Sequence, residues 1–371
     1  MAKALVLGRG ASGKAAAEEL RSRGYDVEFA EGISLVVASP GVPVKSELQL
    51  GCEELKRRGW RLLAVTGSKG KSSVVKVVAD ALNLDGRRAV PCGNYGRPVC
   101  DLVGEEPGWA VVEVSSFQLE TTALGNDTFE AAAVLNVQED HLDRHGSMSV
   151  YWSLKHRLAG MAKAFIGDLE TLSSDELSAQ PCCRGVAELI AGSYFDNDVL
   201  RANGAYAVAL MRAAGLHDAA IRRGFTEFVP LPHRFSLVAE QDGARYVDDS
   251  KATSISALIA GVAMCGASPV RLVAGGLPKG DDPKKAVPIL TERVKKVYLI
   301  GQSAEAFAAA WKSATDCEIC GTMERAVGAA RRDAERGETV LLSPGTASYD
   351  QFSNFGERGD VFAALVKKGK S

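Results

Sequence analysis

Apolar positions along this chain fall into short unbroken runs, and between those runs they recur every three or four residues. The runs read KALVLG, YDVEFAE and SLVVASPG in the first segment, then RLLAVTG, WAVVEVSS and AAAVLNV, and finally ARYVDDS, VRLVAGG, KVYLIG and ETVLLSPG. Such runs, closed by glycine or turn residues, predict strands buried on both faces. The periodic segments between them, such as KAAAEELRSRG and KSELQLGCEELKRRG, predict helices. Alternation of strand, loop and helix throughout predicts an α/β protein built from parallel sheets. Three domains are expected: a Rossmann-like one over residues 1–62, a central P-loop-type sheet domain over 63–229, and a C-terminal Rossmann-like one over 230–371. Only the stretch 166–195 carries little pattern.

Composition adds bounds to this picture. A chain of 371 residues with 46% hydrophobic and 24% charged residues can bury more than one core. Its net charge of −2 gives no overall field favouring nucleic acid or an anionic membrane, so neither is expected as a partner. Eight cysteines are scattered, and Cys317-x-x-Cys320 has no second pair, so ordinary reduced thiols are expected. The start, MAKALVLGRG, does not read as a signal peptide, and no apolar run approaches the roughly 20 residues that span a bilayer. A cytoplasmic protein is expected.

The first chemical signal is a phosphate loop that departs from the usual pattern. Gly70-Lys71-Ser72 ends like G-x-x-x-x-G-K-[ST], but Val65 occupies the first glycine slot. Gly67, Ser68, Lys69, Gly70, Lys71, Ser72 and Ser73 nonetheless lie between a strand and a helix start, where free backbone N–H groups favour an anion. Lys71 adds charge for the outer phosphates and Ser72 an oxygen for magnesium. On the next apolar run stands Glu113, which is either an outward carboxylate or a magnesium ligand at a strand end. A third group, Glu139, Asp140, His141, Asp143, Arg144 and His145, follows another strand, with Lys155 on a helix beyond it. Three acids and two histidines so close together favour a metal or catalytic site over a plain polar loop. Lys155, read alone, is a solvated helix lysine. Separately, Gly8-x-Gly10-x-x-Gly13 with Glu28 fits a dinucleotide fold and opens a nicotinamide-dependent oxidoreductase reading. That reading leaves the other three signals without a role.

Taken together, these stretches resemble the ATP-dependent Mur ligase family, whose loop reads G-x-x-G-K-[ST]-[ST]. EVSSFQLE (113–120), NVQEDHLDRHGS (136–147), LPHRF (231–235), DDSKATS (248–254) and SPGTASYDQFSNFGERGD (343–360) match family blocks in order, from Gly8 to the C-terminus. The resemblance is greatest to members that join D-glutamate to UDP-N-acetylmuramoyl-L-alanine in peptidoglycan precursor synthesis. A folylpolyglutamate synthetase-type ligase shares the loop but not the small first domain or SSFQLE.

The resemblance implies ATP, an acyl-phosphate intermediate, a monomer and two Mg²⁺ sites, with Lys71, His141 and Lys155 catalytic. One metal falls to Ser72 and Glu113, the other to His141 and Lys155, the lysine as its carbamate. Besides the 67–73 loop, Asn203, His233, Arg234 and Asp249 are implied at ATP. Gly8, Gly10, Ala11, Ser12, Gly13 and Asn94 are implied at the UDP substrate, and Lys251, Thr253, Lys279, Ser348 and Phe355 at D-glutamate. Three departures stand out. The first segment lacks a helix–strand unit after Glu31, Leu200 stands where asparagine is common, and Asp248 and Ser254 replace flanking asparagines.

Overall fold

The computed structural model describes residues 3–31, 44–169 and 180–368. The strand expected at SLVVASPG lies outside the described residues. The chain forms two compact units, Met1–Asp196 with Leu200–Phe228, and Asn197–Val199 with Val229–Ser371.

Among the described residues the first unit holds two sheets. β1 (Lys3–Leu7) and β2 (Asp26–Ala30) pair in parallel around helix α1 (Ala11–Ser22). The second sheet contains β3 (Arg61–Thr66), β4 (Ala89–Gly93), β5 (Trp109–Glu113), β6 (Ala131–Val134) and β7 (Phe165–Ile166). Its order is β4-β5-β3-β6-β7, parallel throughout. From β3 the chain crosses to the edge strand β4, fills in β5 beside β3 and then passes to the other side for β6 and β7, so the C-terminal end of β3 is a topological switch point. Ligands bind at such points in open parallel sheets.

Helices α2 (Glu47–Arg57), α3 (Lys71–Leu84), α4 (Ser116–Thr121), α5 (Leu142–His145), α6 (Met148–His156), α7 (Val186–Ile190), α8 (Arg201–Ala213) and α9 (Asp218–Thr226) complete this unit. Ser46 caps α2 by accepting from the Gln49 N–H at 3.1 Å. Leu48, Cys52 and Leu55 on its inner face join Leu62, Ala64, Ala110 and Val112 in one core. A helix that the apolar pattern attaches to the end of the first segment thus packs under the second sheet. The buried Glu54 carboxylate gathers Arg23, the C-cap of α1, at 3.2 Å, Arg57 at 2.5 Å and Arg58 at 2.7 Å, which ties the end of α1 to α2.

In the second unit one sheet runs β12-β11-β10-β13-β9-β8. Its strands are β8 (Ser236–Gln241), β9 (Ala244–Asp248), β10 (Val270–Gly275), β11 (Val294–Ile300), β12 (Asp316–Gly321) and β13 (Thr339–Leu342). Helices α10 (Ile255–Met264), α11 (Val287–Arg293), α12 (Ala304–Trp311), α13 (Met323–Asp333) and α14 (Phe355–Lys368) cover its two faces. The expectation of parallel pairing throughout needs one correction. β8 runs antiparallel to β9, joined through Asp242 and Gly243, both at positive φ. The pattern missed this hairpin because β8 is half-buried and mixes serine, glutamate and glutamine with its apolar residues. Cys317 and Cys320 lie three apart on β12, so their side chains point to opposite faces, and all eight cysteines are free thiols. Among the described residues no helix is long and apolar enough to cross a membrane.

Candidate active site

The loop after β3 is held by its neighbour in the sheet. Leu135 N–H donates to Thr66 O at 2.9 Å and Ser68 N–H to Asn136 O at 2.8 Å, extending the β3–β6 pairing past both strands. The Asn136 side chain then brackets one peptide. Its Oδ1 accepts from Lys69 N–H at 2.9 Å and its Nδ2 donates to Lys69 O at 3.1 Å. Gly70 caps α3 in the left-handed region at φ 85°, with no side-chain hydrogen bond to the helix start. A helix start reached through such a glycine turn favours an anion. A β-carbon on Gly70 would stand 2.4 Å from Asn203 Nδ2, so α8 closes directly over the loop.

Two ammonium groups converge on this loop. Lys71 Nζ donates to Gly67 O at 2.9 Å and Ser68 O at 3.1 Å, and Lys155 Nζ donates to the same Gly67 O at 2.9 Å. Lys155 is 2% exposed and its Nζ lies 4.4 Å from the Tyr151 ring centre. It forms no ion pair among the described residues. Burial, and then the neighbouring Lys71 charge, push its amine down to about 7, against the opposing pull of Asp140 and Glu113.

Glu113 ends β5 as a fully enclosed carboxylate. Its Oε1 accepts from Asn94 Nδ2 at 2.7 Å, while Oε2 is buried with no hydrogen-bond partner. An orphaned carboxylate oxygen in a protein interior is costly and fits a cation. Ser72 is buried at the start of α3. Among the described residues no three His, Cys, Asp or Glu side chains converge to hold a metal unaided. A cation here takes the rest of its oxygen shell from a ligand.

His141 sits at φ 53° ahead of α5, exposed, with its backbone N–H on Asp140 Oδ1 at 3.1 Å. Lys69 faces Asp140 at 3.8 Å. The histidine that is buried is His145, whose Nε2 lies 3.0 Å from Ser116 Oγ and whose Nδ1 lies 3.3 Å from Glu120 Oε1. It stacks on Tyr151, whose hydroxyl is 3.1 Å from Ser68 Oγ. Asn136 and Tyr151 carry no role in the sequence reading, and His145 enters it only as a member of the acid–histidine group. Tyr151 stands one helical turn before Lys155 on the same face, and that spacing was a usable signal.

At the N-terminal sheet Gly8 has φ 89°, and a β-carbon on Gly13 would stand 2.2 Å from Gly8 O. Glycine is required there for α1 to seat on the turn. Gly10 caps α1, and Ala11 and Ser12 are exposed on its first turn. Asn94 stands apart from that group, bonded to Glu113.

The remaining predicted residues belong to the second unit. His233, Arg234 and Asp249 meet at the end of β9. His233 Nδ1 donates to Asp248 Oδ2 at 2.7 Å, and Asp249 accepts from Phe235 N–H at 3.2 Å and Ser343 Oγ at 3.1 Å. Loss of water around Asp249 pushes its carboxyl up to about 7. Lys251 and Thr253 follow β9, Lys279 follows β10, Ser348 follows β13 and Phe355 opens α14. These strands are neighbours in the sheet. Leu277 and Ala347 exchange backbone bonds at 2.9 and 3.1 Å, and Gly345 N–H reaches Ala252 O at 2.8 Å. Lys251 Nζ lies 4.1 Å from the Phe355 ring centre. Two lysines beside strand ends suit an anionic ligand.

The fold is shared with solved Mur ligases and folylpolyglutamate synthases. It matches a MurF ligase from Thermotoga maritima solved with ADP at TM-score 0.65 and 16% identity, covering 99% of this chain and 95% of that one. It also matches a bifunctional folylpolyglutamate synthase/dihydrofolate synthase from Yersinia pestis, complexed with AMPPNP and a manganese ion, at TM-score 0.57 and 18% identity, covering 89% and 95%. Residues 65–167 fit the Mur ligase middle domain and residues 233–345 the Mur ligase, glutamate ligase domain. A UDP-N-acetylmuramoylalanine–D-glutamate ligase of Nitratidesulfovibrio vulgaris is 33% identical over 98% of this chain and 96% of its own length. Proteins of the same name from Dinoroseobacter shibae and Gloeobacter violaceus are each 36% identical, over 89% and 90% of this chain and 80% and 84% of theirs. The chain belongs to the Mur ligase family.

Proposed function

We propose that this protein is an ATP-dependent ligase that adds D-glutamate to UDP-N-acetylmuramoyl-L-alanine in peptidoglycan precursor synthesis. The observation that carries the proposal is full-length similarity to relatives of that name, joined to a phosphate cradle with a buried, orphaned carboxylate oxygen at Glu113.

A carboxylate is a poor electrophile, and phosphorylation by ATP supplies its leaving group. The carboxylate and the triphosphate repel each other, so catalysis is chiefly positioning and charge neutralisation. The α3 N–H groups and the 67–70 turn hold the phosphates, and Lys71 moves from its carbonyl partners onto them. Magnesium, when bound, neutralises phosphate charge. Ser72 and Glu113 would hold one ion, and His141 and Lys155 the other. Lys155 meets the requirement for carbamylation, a neutral amine near physiological pH, because its enclosure disfavours the ammonium form.

Asn203 closes the cradle, and His233, Arg234 and Asp249 supply the second unit's nucleotide contacts. The Gly8–Gly13 turn, with Ala11 and Ser12, takes the UDP group, and Asn94 serves the acceptor side through Glu113. Lys251, Thr253, Lys279, Ser348 and Phe355 bind D-glutamate, whose amine displaces phosphate from the acyl phosphate and forms the amide. The enzyme works as a cytoplasmic monomer without nucleic acid or membrane, with three domains in the order expected from the sequence and α2 packed on the central sheet. Phosphate release from ATP tests the reading. Release that requires both D-glutamate and the UDP-linked acceptor supports it, and release indifferent to either one refutes it.

A further inference from the structure

Arg358 lies on α14 with none of its surface exposed. Its donors all go to uncharged oxygens. Nε donates to Ser250 Oγ at 3.0 Å and Nη2 to Ser250 O at 2.9 Å. Nη1 and Nη2 each reach Thr346 O at 3.2 Å, and Nη1 also reaches Ala347 O at 3.2 Å. No carboxylate pairs with it among the described residues. Burial lowers its affinity for the proton to about 10, only partly offset by the more distant Asp350 and Asp248.

An enclosed cation without a paired anion is an expensive way to hold two loops together. A neutral amide could bond carbonyls, but it would bring no charge. What this guanidinium holds explains its presence. Ser250 precedes Lys251, Thr346 and Ala347 precede Ser348, and Ser250 Oγ also donates to Phe355 O at 2.8 Å. Ala347 O accepts from Leu277 as well, which begins the loop bearing Lys279. One side chain therefore fastens the segments that carry all five residues assigned above to the amino acid. Shielded from solvent, its charge is little screened by salt.

We propose that Arg358 is a positioning residue for the amino-acid site, aligning its three loops and setting a fixed positive potential that selects a dicarboxylate. The inference rests on the ligase reading given under Proposed function. It is tested by steady-state kinetics of wild type, Arg358→Lys, Arg358→Gln and Ser250→Ala, each checked for folding by circular dichroism.

Arg358→Gln is expected to raise the D-glutamate KM by about thirtyfold with the ATP KM within about twofold. It also lowers the preference for D-glutamate over D-glutamine by about tenfold. Arg358→Lys restores most of that preference, because it keeps the charge, but not the KM, because it loses the fork. If neither Arg358 variant folds, Ser250→Ala carries the test, with an expected D-glutamate KM rise of about threefold or more and an unchanged ATP KM. Unchanged D-glutamate kinetics in the folded variants, or equal rises in both KM values, overturn the assignment while wild-type turnover leaves the ligase reading standing. A wild type that releases phosphate without regard to D-glutamate overturns both.

Discussion

Gly70→Ala tests the phosphate cradle with the fewest atoms. The added methyl group does two separate things. It forces an L side chain to hold φ 85°, which costs about 1–2 kcal/mol relative to glycine. It also drives a carbon to 2.4 Å from Asn203 Nδ2 and 2.8 Å from its Cγ. Asn203 is 6% exposed on α8 and cannot swing away freely, so this overlap adds about 1–3 kcal/mol.

The two effects can be separated, because Asn203→Ala removes the collision and leaves the backbone strain. A double-mutant cycle by urea denaturation, followed through the first unit, should therefore give a favourable coupling of about 1–3 kcal/mol between the two changes. The double variant should remain about 1–2 kcal/mol less stable than Asn203→Ala alone, which is the strain by itself. Equilibrium binding of a fluorescent ATP analogue should fall at least about a hundredfold in Gly70→Ala, since the first N–H groups of α3 move with the turn. Additivity within about 0.5 kcal/mol would refute the close approach of α8, and undiminished nucleotide binding would refute the cradle.

Four further outcomes are expected. Lys71→Met should lose at least about a thousandfold in turnover with its unfolding curve unchanged, and normal turnover would detach Lys71 from the phosphates. Glu113→Gln should lower turnover by about a hundredfold or more and move its magnesium titration to clearly higher concentration; a variant with wild-type magnesium titration would refute the metal assignment. Stripping bicarbonate and CO₂ from the buffer should slow the enzyme, with a recovery on re-addition that is fuller above about pH 7, where the Lys155 amine is neutral and can take CO₂, than below it; an unaffected rate would remove the carbamate.

The last concerns Glu54, whose carboxyl is held near 2 chiefly by its bond to Arg57, below its ordinary 4.5. That pairing stabilises fully above pH 4.5 and is lost as pH falls towards 2. Because its arginines are partly exposed, Glu54→Gln should cost about 1–2 kcal/mol at pH 7 and clearly less near pH 3 by urea midpoint. A constant difference at both pH values would refute it.

The parallel strands at the centre of the two larger sheets were legible because they are buried on both faces and so are written as unbroken apolar runs, as in Leu62–Val65 and Leu341–Leu342, whereas β1 and β2 carry apolar runs but are mostly exposed or half-buried. The start of α3 was legible from Gly70-Lys71-Ser72, since only a loop meeting a helix uses those residues in that order. Two features were not. β8 has no two-sided burial to write into its sequence, and α2 belongs by packing to a sheet that begins after it. The candidate site divides in the same way. Residues grouped in the phosphate loop and the acid–histidine cluster announced themselves by their spacing, whereas Asn136 and Arg358 act by bonding backbone atoms distant in sequence, which no spacing rule registers. Lys155 is the sharpest case. Its letter alone suggests a solvated lysine, and only the fold encloses it.

Asn136 gives the cradle a mechanical character of its own. By gripping both edges of the Lys69 peptide, its amide behaves like one more rung of the ladder between β3 and β6. The turn thereby inherits the rigidity of the central sheet and does not fluctuate as a separate lid. Nucleotide then docks on a surface already set, with little ordering entropy to lose, and amide exchange at Ser68 and Lys69 should slow to the pace of the strands themselves.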